Sequence, residues 1–454
     1  MIEPLTGWGR MAPSVPVEVL YPATADSLRV GLCDPPRRGV ITRGLGRSYG
    51  DAAQNGGGRV IDVSGVTRIG PIDPDHLITV SAGASIGDLL RVIVPQGFFV
   101  PVSPGTRHVT IGGAIASDIH GKNHHASGTF GMHVRSLRLA LPSSEVVTCG
   151  PDERSDLFWA TTGGMGLTGA VLEATIALPS IESSMVSVHT ERAVDLDTCM
   201  ALMEEGDDRY THTVAWVDLT STGRTMGRSV LSRGDFAHRS ALRGRDATEP
   251  LRYEPHRAIK APPAPSGLFN KMTVRAFNEL WFHKSPRQGR SELQSIPAFF
   301  HPLDMIDGWN RLYGPRGFQQ WQCVVPFGEE PSLRRVVETL NGSRFVSFLA
   351  VLKRFGAASP GPLSFPMPGW TLALDIPTPG RRGNELATLL DRLDRLVINA
   401  GGRLYLAKDS RMSPETFRTG YPRFDEWLEV RATVDPNGVL QSDLARRLRF
   451  PGTE

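Results

Sequence analysis

A chain of 454 residues exceeds what one hydrophobic core fills, so two or more compact units are expected, with room for a large ligand between them. Its 40% hydrophobic and 21% charged residues exclude a disordered or fibrous protein, and 48 Gly with 35 Pro place much of the information in loops. A net charge of +3 without a Lys/Arg block excludes a polyanion, so no nucleic acid is expected as partner.

The N-terminus lacks a signal-peptide pattern and no stretch approaches 18 apolar residues, so any membrane contact is expected to be peripheral. Cys33, Cys149, Cys199 and Cys323 have no metal-site spacing and are expected to be reduced and structural. Lysine is scarce: Lys122, Lys260, Lys271, Lys284, Lys353 and Lys408 stand among 50 basic residues, which singles each of them out.

Residues 38–180 alternate short β-rich runs with glycine punctuation: Gly39–Thr42, Arg59–Val63, Leu77–Gly83 and Phe98–Val102. A helix is expected from Ser85, with Asp88 completing a capping box and Leu89, Leu90, Ile93 and Val94 on one face. The class is α+β. After Pro179 come longer strands, Thr213–Asp218 and Gln319–Val325, interrupted by Ala261–Gly267, whose prolines exclude regular structure and suggest a mobile surface loop. From about Gly401 an Arg-rich amphipathic tail runs through Trp427 and Leu444, too short for its own core. The division is therefore 1–183, 184–402, and a segment 403–454 returning to the first unit.

Three glycine loops fall in the first unit. Arg43-Gly44-Leu45-Gly46-Arg47-Ser48-Tyr49-Gly50-Asp51-Ala52 misses the dinucleotide spacing GxGxxG by one residue, which disfavours a Rossmann site. Its unobstructed backbone N–H groups suit a pyrophosphate, although a plain tight turn explains the glycines equally well. The second, from Pro104 to His125, has Gly112-Gly113 opening a short apolar helix, which would aim N–H groups and a positive helix end at a phosphate. The third, Thr161–Gly169, leads into the strand Ala170–Ile176. His120, His124 and His125 lack a nearby Cys or acidic cluster, so no metal is expected, and His120 is kept as a ligand contact.

The GRSYGD loop, PGT-x5-GGAIA-x-DIHGKNHH and GG-x-GLTG resemble the vanillyl-alcohol-oxidase type of flavoprotein. That resemblance implies a two-part FAD-binding domain over 1–183 and a substrate domain over 184–402, built on an antiparallel sheet with flanking helices. SFPMPGW at 364–370, GGRLYLAKDSR at 401–411 and HPLD-x4-WNRLYGP at 301–315 resemble the branch of the family that oxidises a polyprenylphosphoryl-ribose in arabinan biosynthesis. It implies FAD contacts from Arg43 through Ala52, from Gly105, Thr106, Thr110, Ile111, Gly112, Gly113, Ser117, Asp118, Ile119, His120, Lys122 and Asn123, and from Val171 and Tyr405. Many relatives attach FAD through a histidine where this chain has Arg47, so non-covalent FAD is implied.

Oxidising a secondary alcohol requires a hydride acceptor, here FAD N5, and a group to take the hydroxyl proton. Lys408 is the candidate for the proton, with Tyr49 as alternative or relay, because a desolvated ammonium titrates near neutrality. Gln320 and Gln322 share one face of a strand and suit ribose or phosphate. Lys353 on a buried strand would be compensated by a substrate phosphate. Lys122, Trp216, Thr371 and Ala373 complete the expected substrate contacts. Mycobacterial relatives carry cysteine at the place of Ala373, the residue trapped by nitroaromatic inhibitors, so this chain is expected to resist the adduct.

The resemblance further implies a separate NADH-dependent keto-reductase and a peripheral place at the cytoplasmic membrane or cell envelope. The alternatives are a flavin oxidase of a soluble polyol or aldonolactone, which the last 100 residues are expected to discriminate, and a non-catalytic nucleotide- or lipid-binding protein.

Overall fold

The computed structural model describes residues 2–255, 258–287, 289–380 and 382–453. A three-stranded parallel sheet takes the order Glu18–Leu20, Arg59–Asp62, Val40–Arg43. β-branched Val40, Ile41, Val60 and Ile61 fill it and are wholly buried. Beside it, five antiparallel strands run in the order Ile69–Ile72, Leu77–Ser81, Ala170–Ala177, Val134–Ala140, Val146–Cys149.

The expected helix forms at Ile86–Ile93, with Ser85 and Asp88 in a reciprocal capping box and Leu89, Leu90 and Ile93 buried. Phe98–Val102 differs from expectation. It makes one isolated bridge, Phe98 with Ser180, and no strand. Pro101 lacks the N–H that a ladder needs, and its carbonyl accepts instead from Asn123 Nδ2 at 2.8 Å.

Eight antiparallel strands make the largest sheet: Arg290–Ser295, Met185–Ala193, Ser229–Phe236, His212–Val217, Ala350–Phe355, Gly369–Pro377, Phe318–Pro326 and Arg403–Leu404, in that order. Period-two alternation gives it an apolar side with Trp321, Cys323, Leu352, Leu372 and Leu374. Helices Glu330–Asn341 and Gly383–Asn399 cover that side through Leu333, Val336, Val337 and Leu340, and through Leu386, Leu390, Leu393 and Val397. Each such side chain contributes roughly 1.5–3 kcal/mol by leaving water. The opposite side carries Gln320, Gln322, Lys353, Thr371 and Asp375 among the aromatic Trp216, Phe318 and Phe355.

The tail begins in this sheet, as strand Arg403–Leu404, and then crosses to the first. Trp427 Nε1 donates to Ala160 O at 2.8 Å, and Leu440 bridges Val40. Arg447 grips Asp51 with two bonds of 2.8 Å and also meets Asp409 at 2.8 Å. Residues 405–410 therefore lie where the eight-stranded and parallel sheets meet, which fixes Lys408.

Candidate active site

All three glycine loops meet the short helix Ile111–Ala116. A Cβ on Gly44 would stand 2.2 Å from Thr110 Oγ1, so the first loop touches the helix cap. The third loop donates from Gly163 N to Ile115 O and from Met165 N to Ala116 O. Gly163 at φ +83° and Gly166 at φ +78° need the left-handed region.

Among the described residues no acceptor meets the N–H groups of residues 45–48, whereas Tyr49 N donates to Ala407 O at 2.9 Å. Arg47 Nε is buried without a partner, and its guanidinium lies 3.8 Å over Trp8. A Cβ at Gly105 would meet nothing within 4 Å. These open donors, a spare cation and free space suit a phosphate-bearing ligand.

Gly112 and Gly113 act differently from expectation. Ile111 N and Gly112 N donate to Ala84 O and Ala82 O, and Gly113 N to Thr110 Oγ1, so the first helical N–H groups are satisfied within the protein. The missing side chain at 112 admits Ala82, which a Cβ would approach to 3.0 Å. Several expected cofactor contacts likewise spend their side chains on the scaffold. Asp51 holds Arg447; Arg43 donates to Thr6 O and Ala53 O; Thr106 donates to Asp304; Asp118 accepts from Ser364 and Gly131 N. Val171 is buried in its strand and Ser117 O accepts from Tyr405 at 2.8 Å.

The polar side of the eight-stranded sheet collects the expected substrate residues. Register pairs Gln320 with Asp375, Gln322 with Ala373, Lys353 with Thr371 and Trp216 with Val351, so all project to one side. Lys353 Nζ lies 2.9 Å from His120 Nδ1, and the Gln322 amide lies 2.9 Å from His120 Nε2. A neutral imidazole carries one N–H, so a charged Lys353 donating to Nδ1 assigns the amide oxygen of Gln322 to the Nε2–H side. Phe355, Phe365 and Tyr405 pack round that ring. His124 and His125 are used elsewhere, on Gly356 N and Tyr210 O.

Lys408 Nζ lies 3.8 Å over the Tyr49 ring, whose edge meets Phe318. A Cβ on Gly50 would stand 1.9 Å from Asp409 O, so only glycine lets the first loop approach the Lys408 segment this closely. Burial lowers the Lys408 ammonium well below its ordinary value, against the attraction of Asp375. Lys353 is lowered to about 7 by burial, with Lys122 and Lys408 repelling it. Lys122 is also lowered to about 7 by burial; its Nζ donates to Phe299 O and lies 4.1 Å over that ring. Tyr49 is raised well above its ordinary value by burial and by the charge of Asp375.

Asp375 was not singled out from sequence. It is wholly buried, accepts from Gln320 Nε2 at 2.5 Å and from the Tyr313 hydroxyl at 3.4 Å, and burial raises its pKa. An acid inside the apolar strand Trp370-Thr-Leu-Ala-Leu-Asp-Ile was the available signal. A separate cavity of about 340 Å³, by Asp218, Arg228 and Lys271, contains none of these residues.

Residues 16–150 match the family described as FAD binding domain, and residues 333–448 match D-arabinono-1,4-lactone oxidase. The chain is an FAD-dependent oxidoreductase of the vanillyl-alcohol-oxidase type. It is 44% identical, over 98% of its length and 97% of the relative's, to decaprenylphosphoryl-β-D-ribose oxidase of Mycolicibacterium smegmatis. That likeness makes it a member of the decaprenylphosphoryl-β-D-ribose oxidase family. An uncharacterized protein of Streptomyces coelicolor is 40% identical over 79% of this chain and 98% of its own. Cytokinin dehydrogenase 7 of Oryza sativa subsp. japonica is 29% identical over 38% of this chain and 34% of its own.

The last 100 residues discriminate less than expected, because the lactone-oxidase match covers them. FAD fits the loops: the open N–H groups of 45–48, the unpartnered Arg47 Nε and the space at Gly105 suit its pyrophosphate.

Proposed function

We propose that this protein oxidises the 2′-hydroxyl of a polyprenylphosphoryl-β-D-ribose to the 2′-keto compound, with FAD held non-covalently across residues 43–52 and 105–123. One observation carries the substrate class. Three of six lysines, Lys122, Lys353 and Lys408, converge on one side of one sheet, where the first and last both repel Lys353, with Asp375 the acid that faces Lys408. Buried cations that outnumber the acid facing them favour a phosphate-bearing ligand.

FAD, when bound, supplies the two-electron acceptor for the hydride leaving the carbinol carbon. Lys408 in its neutral form takes the hydroxyl proton, since burial holds it near neutrality. Tyr49 keeps its proton and serves as a donor and as the platform of the Lys408 amine. Asp375 tunes Lys408 and orients Gln320 toward the sugar. Lys353, steadied by His120 and Gln322, and Lys122 hold the phosphate. Thr371, Ala373 and Trp216 shape the floor beneath the ribose.

The division 1–183, 184–402 and 403–454 places this cleft between the FAD-binding and substrate domains. Epimerisation to the arabinose donor of cell-wall arabinan then requires a separate NADH-dependent keto-reductase. No helix among the described residues is long and apolar enough to cross a membrane, and the chain works peripherally at the membrane that holds its substrate. The lactone-oxidase match favours a soluble aldonolactone as second substrate class, but a lactone has no phosphate to meet the lysines.

Trapping the product with borodeuteride decides the regiochemistry. Deuterium at C2′ of the recovered pentose is expected; label elsewhere, or none from a prenylphosphoryl-ribose, refutes the assignment.

A further inference from the structure

One line of aromatic rings leads from the Lys408 cleft to the surface. Tyr313, whose hydroxyl reaches Asp375, lies 4.7 Å from Phe269, centroid to centroid. Phe269 stacks on Phe348 at 4.5 Å, Phe348 lies 4.6 Å from Phe277, and Phe277 runs parallel to Trp281 at 6.0 Å. Exposure rises along this ladder, from 3% at Tyr313 through partly buried phenylalanines to 41% at Trp281.

Phe277 and Trp281 belong to helix Lys271–Lys284, which buries only Val274, Asn278 and Phe282. Met272 and Leu280, two turns apart, are 78% and 70% exposed, and Leu268 and Ile259 add to the exposed apolar surface of the same segment. Apolar groups gathered in this way mark an interaction surface rather than a solvated one. The charge of the segment selects the partner. Residues 258–295 carry Lys260, Lys271, Arg275, Lys284, Arg287 and Arg290 against Glu279 and Glu292, a net +4 in a chain whose total is +3.

We propose that this face docks on a lipid bilayer bearing anionic headgroups, and that the ladder carries the substrate's apolar tail from bilayer to cleft. Exposed Met272, Leu280 and Trp281 enter the interfacial layer while the surrounding cations meet the headgroups. The ladder, though not the docking, rests on the substrate being a lipid-linked sugar phosphate.

The test uses the full-length flavin-loaded protein. For docking, co-sedimentation with phosphatidylcholine vesicles is measured with and without phosphatidylglycerol. Replacing Met272, Leu280 and Trp281 together by serine is expected to weaken binding at least tenfold, and Lys271→Glu with Arg275→Glu to abolish the phosphatidylglycerol dependence. The flavin spectrum checks that each variant is folded. Unchanged sedimentation of the serine variant overturns the docking.

For the ladder, kcat/KM is compared between farnesylphosphoryl-ribose and methylphosphoryl-ribose. Phe277→Ala with Phe348→Ala is expected to lower the ratio of tailed to tailless substrate at least tenfold, and an unchanged ratio overturns the ladder. A wild-type protein that turns over neither compound overturns the substrate reading and the ladder with it, while the vesicle result still decides the docking.

Discussion

Replacing Lys353 by methionine moves stability and substrate recognition in opposite directions. The ammonium is partly buried 2.9 Å from His120 Nδ1, and burial holds it at about 7. Between that value and the ordinary 10.5 the unfolded chain binds a proton that the folded chain has released, so wild-type stability rises with pH through this window. Below it the buried charge costs up to about 5 kcal/mol, which methionine removes. Lys353→Met is therefore expected to unfold at higher temperature at pH 6, with the advantage shrinking as pH climbs. The lost charge-assisted bond to phosphate, about 1.5–3 kcal/mol, weakens substrate binding roughly 10- to 150-fold. Flavin-fluorescence melting across pH, with anaerobic single-turnover flavin reduction over a range of substrate concentrations, reads both effects. A variant that is less stable at every pH yet binds substrate normally refutes the reasoning and makes Lys353 a scaffold residue.

Lys408→Met is expected to retain FAD and lose about 10²–10⁴-fold in the rate of flavin reduction; Lys408→Arg does not rescue it, because a guanidinium does not deprotonate. For the wild type, that rate rises with pH through the lowered Lys408 pKa, since the neutral amine is the acceptor. Asp375→Asn removes the attraction that raises this pKa, so the limb moves to lower pH; a shift to higher pH, or none, contradicts the pairing. Arg447→Met strands the buried carboxylates of Asp51 and Asp409, and breaking such a cluster costs about 3–5 kcal/mol, read as a lower melting temperature and faster FAD loss. Ala373→Cys places a thiol beside Gln322, and substrate is expected to protect it from a thiol reagent.

What the sequence disclosed follows from how locally each feature is encoded. The alternation of Gln320 and Gln322 and the capping box at Ser85 are written within a few residues, and the structure arranges them accordingly. Lys122, Lys353 and Lys408 were each expected at the substrate from sequence; how they pack, with Lys353 against His120, was not legible, because it depends on sheet register and on the tail crossing back to the parallel sheet. Asp51 was expected at the cofactor from the resemblance of its loop; that its side chain holds Arg447, 396 residues away, no local pattern discloses. Gly112 misled for a different reason: a glycine that admits a ligand and one that admits a neighbouring residue look alike in sequence, and Ala82 occupies the space here. In the sequence Asp375 is marked only as an acid within an apolar strand. Its role emerges only with Gln320, Tyr313 and Lys408 around it.

The most direct measurement is an anaerobic titration of the purified, flavin-loaded protein, followed by the visible absorbance of its FAD. Stoichiometric bleaching by farnesylphosphoryl-β-D-ribose, with none by D-arabinono-1,4-lactone, is the expected result. Bleaching by the lactone alone would contradict it, leaving the lysine cluster without a phosphate to bind.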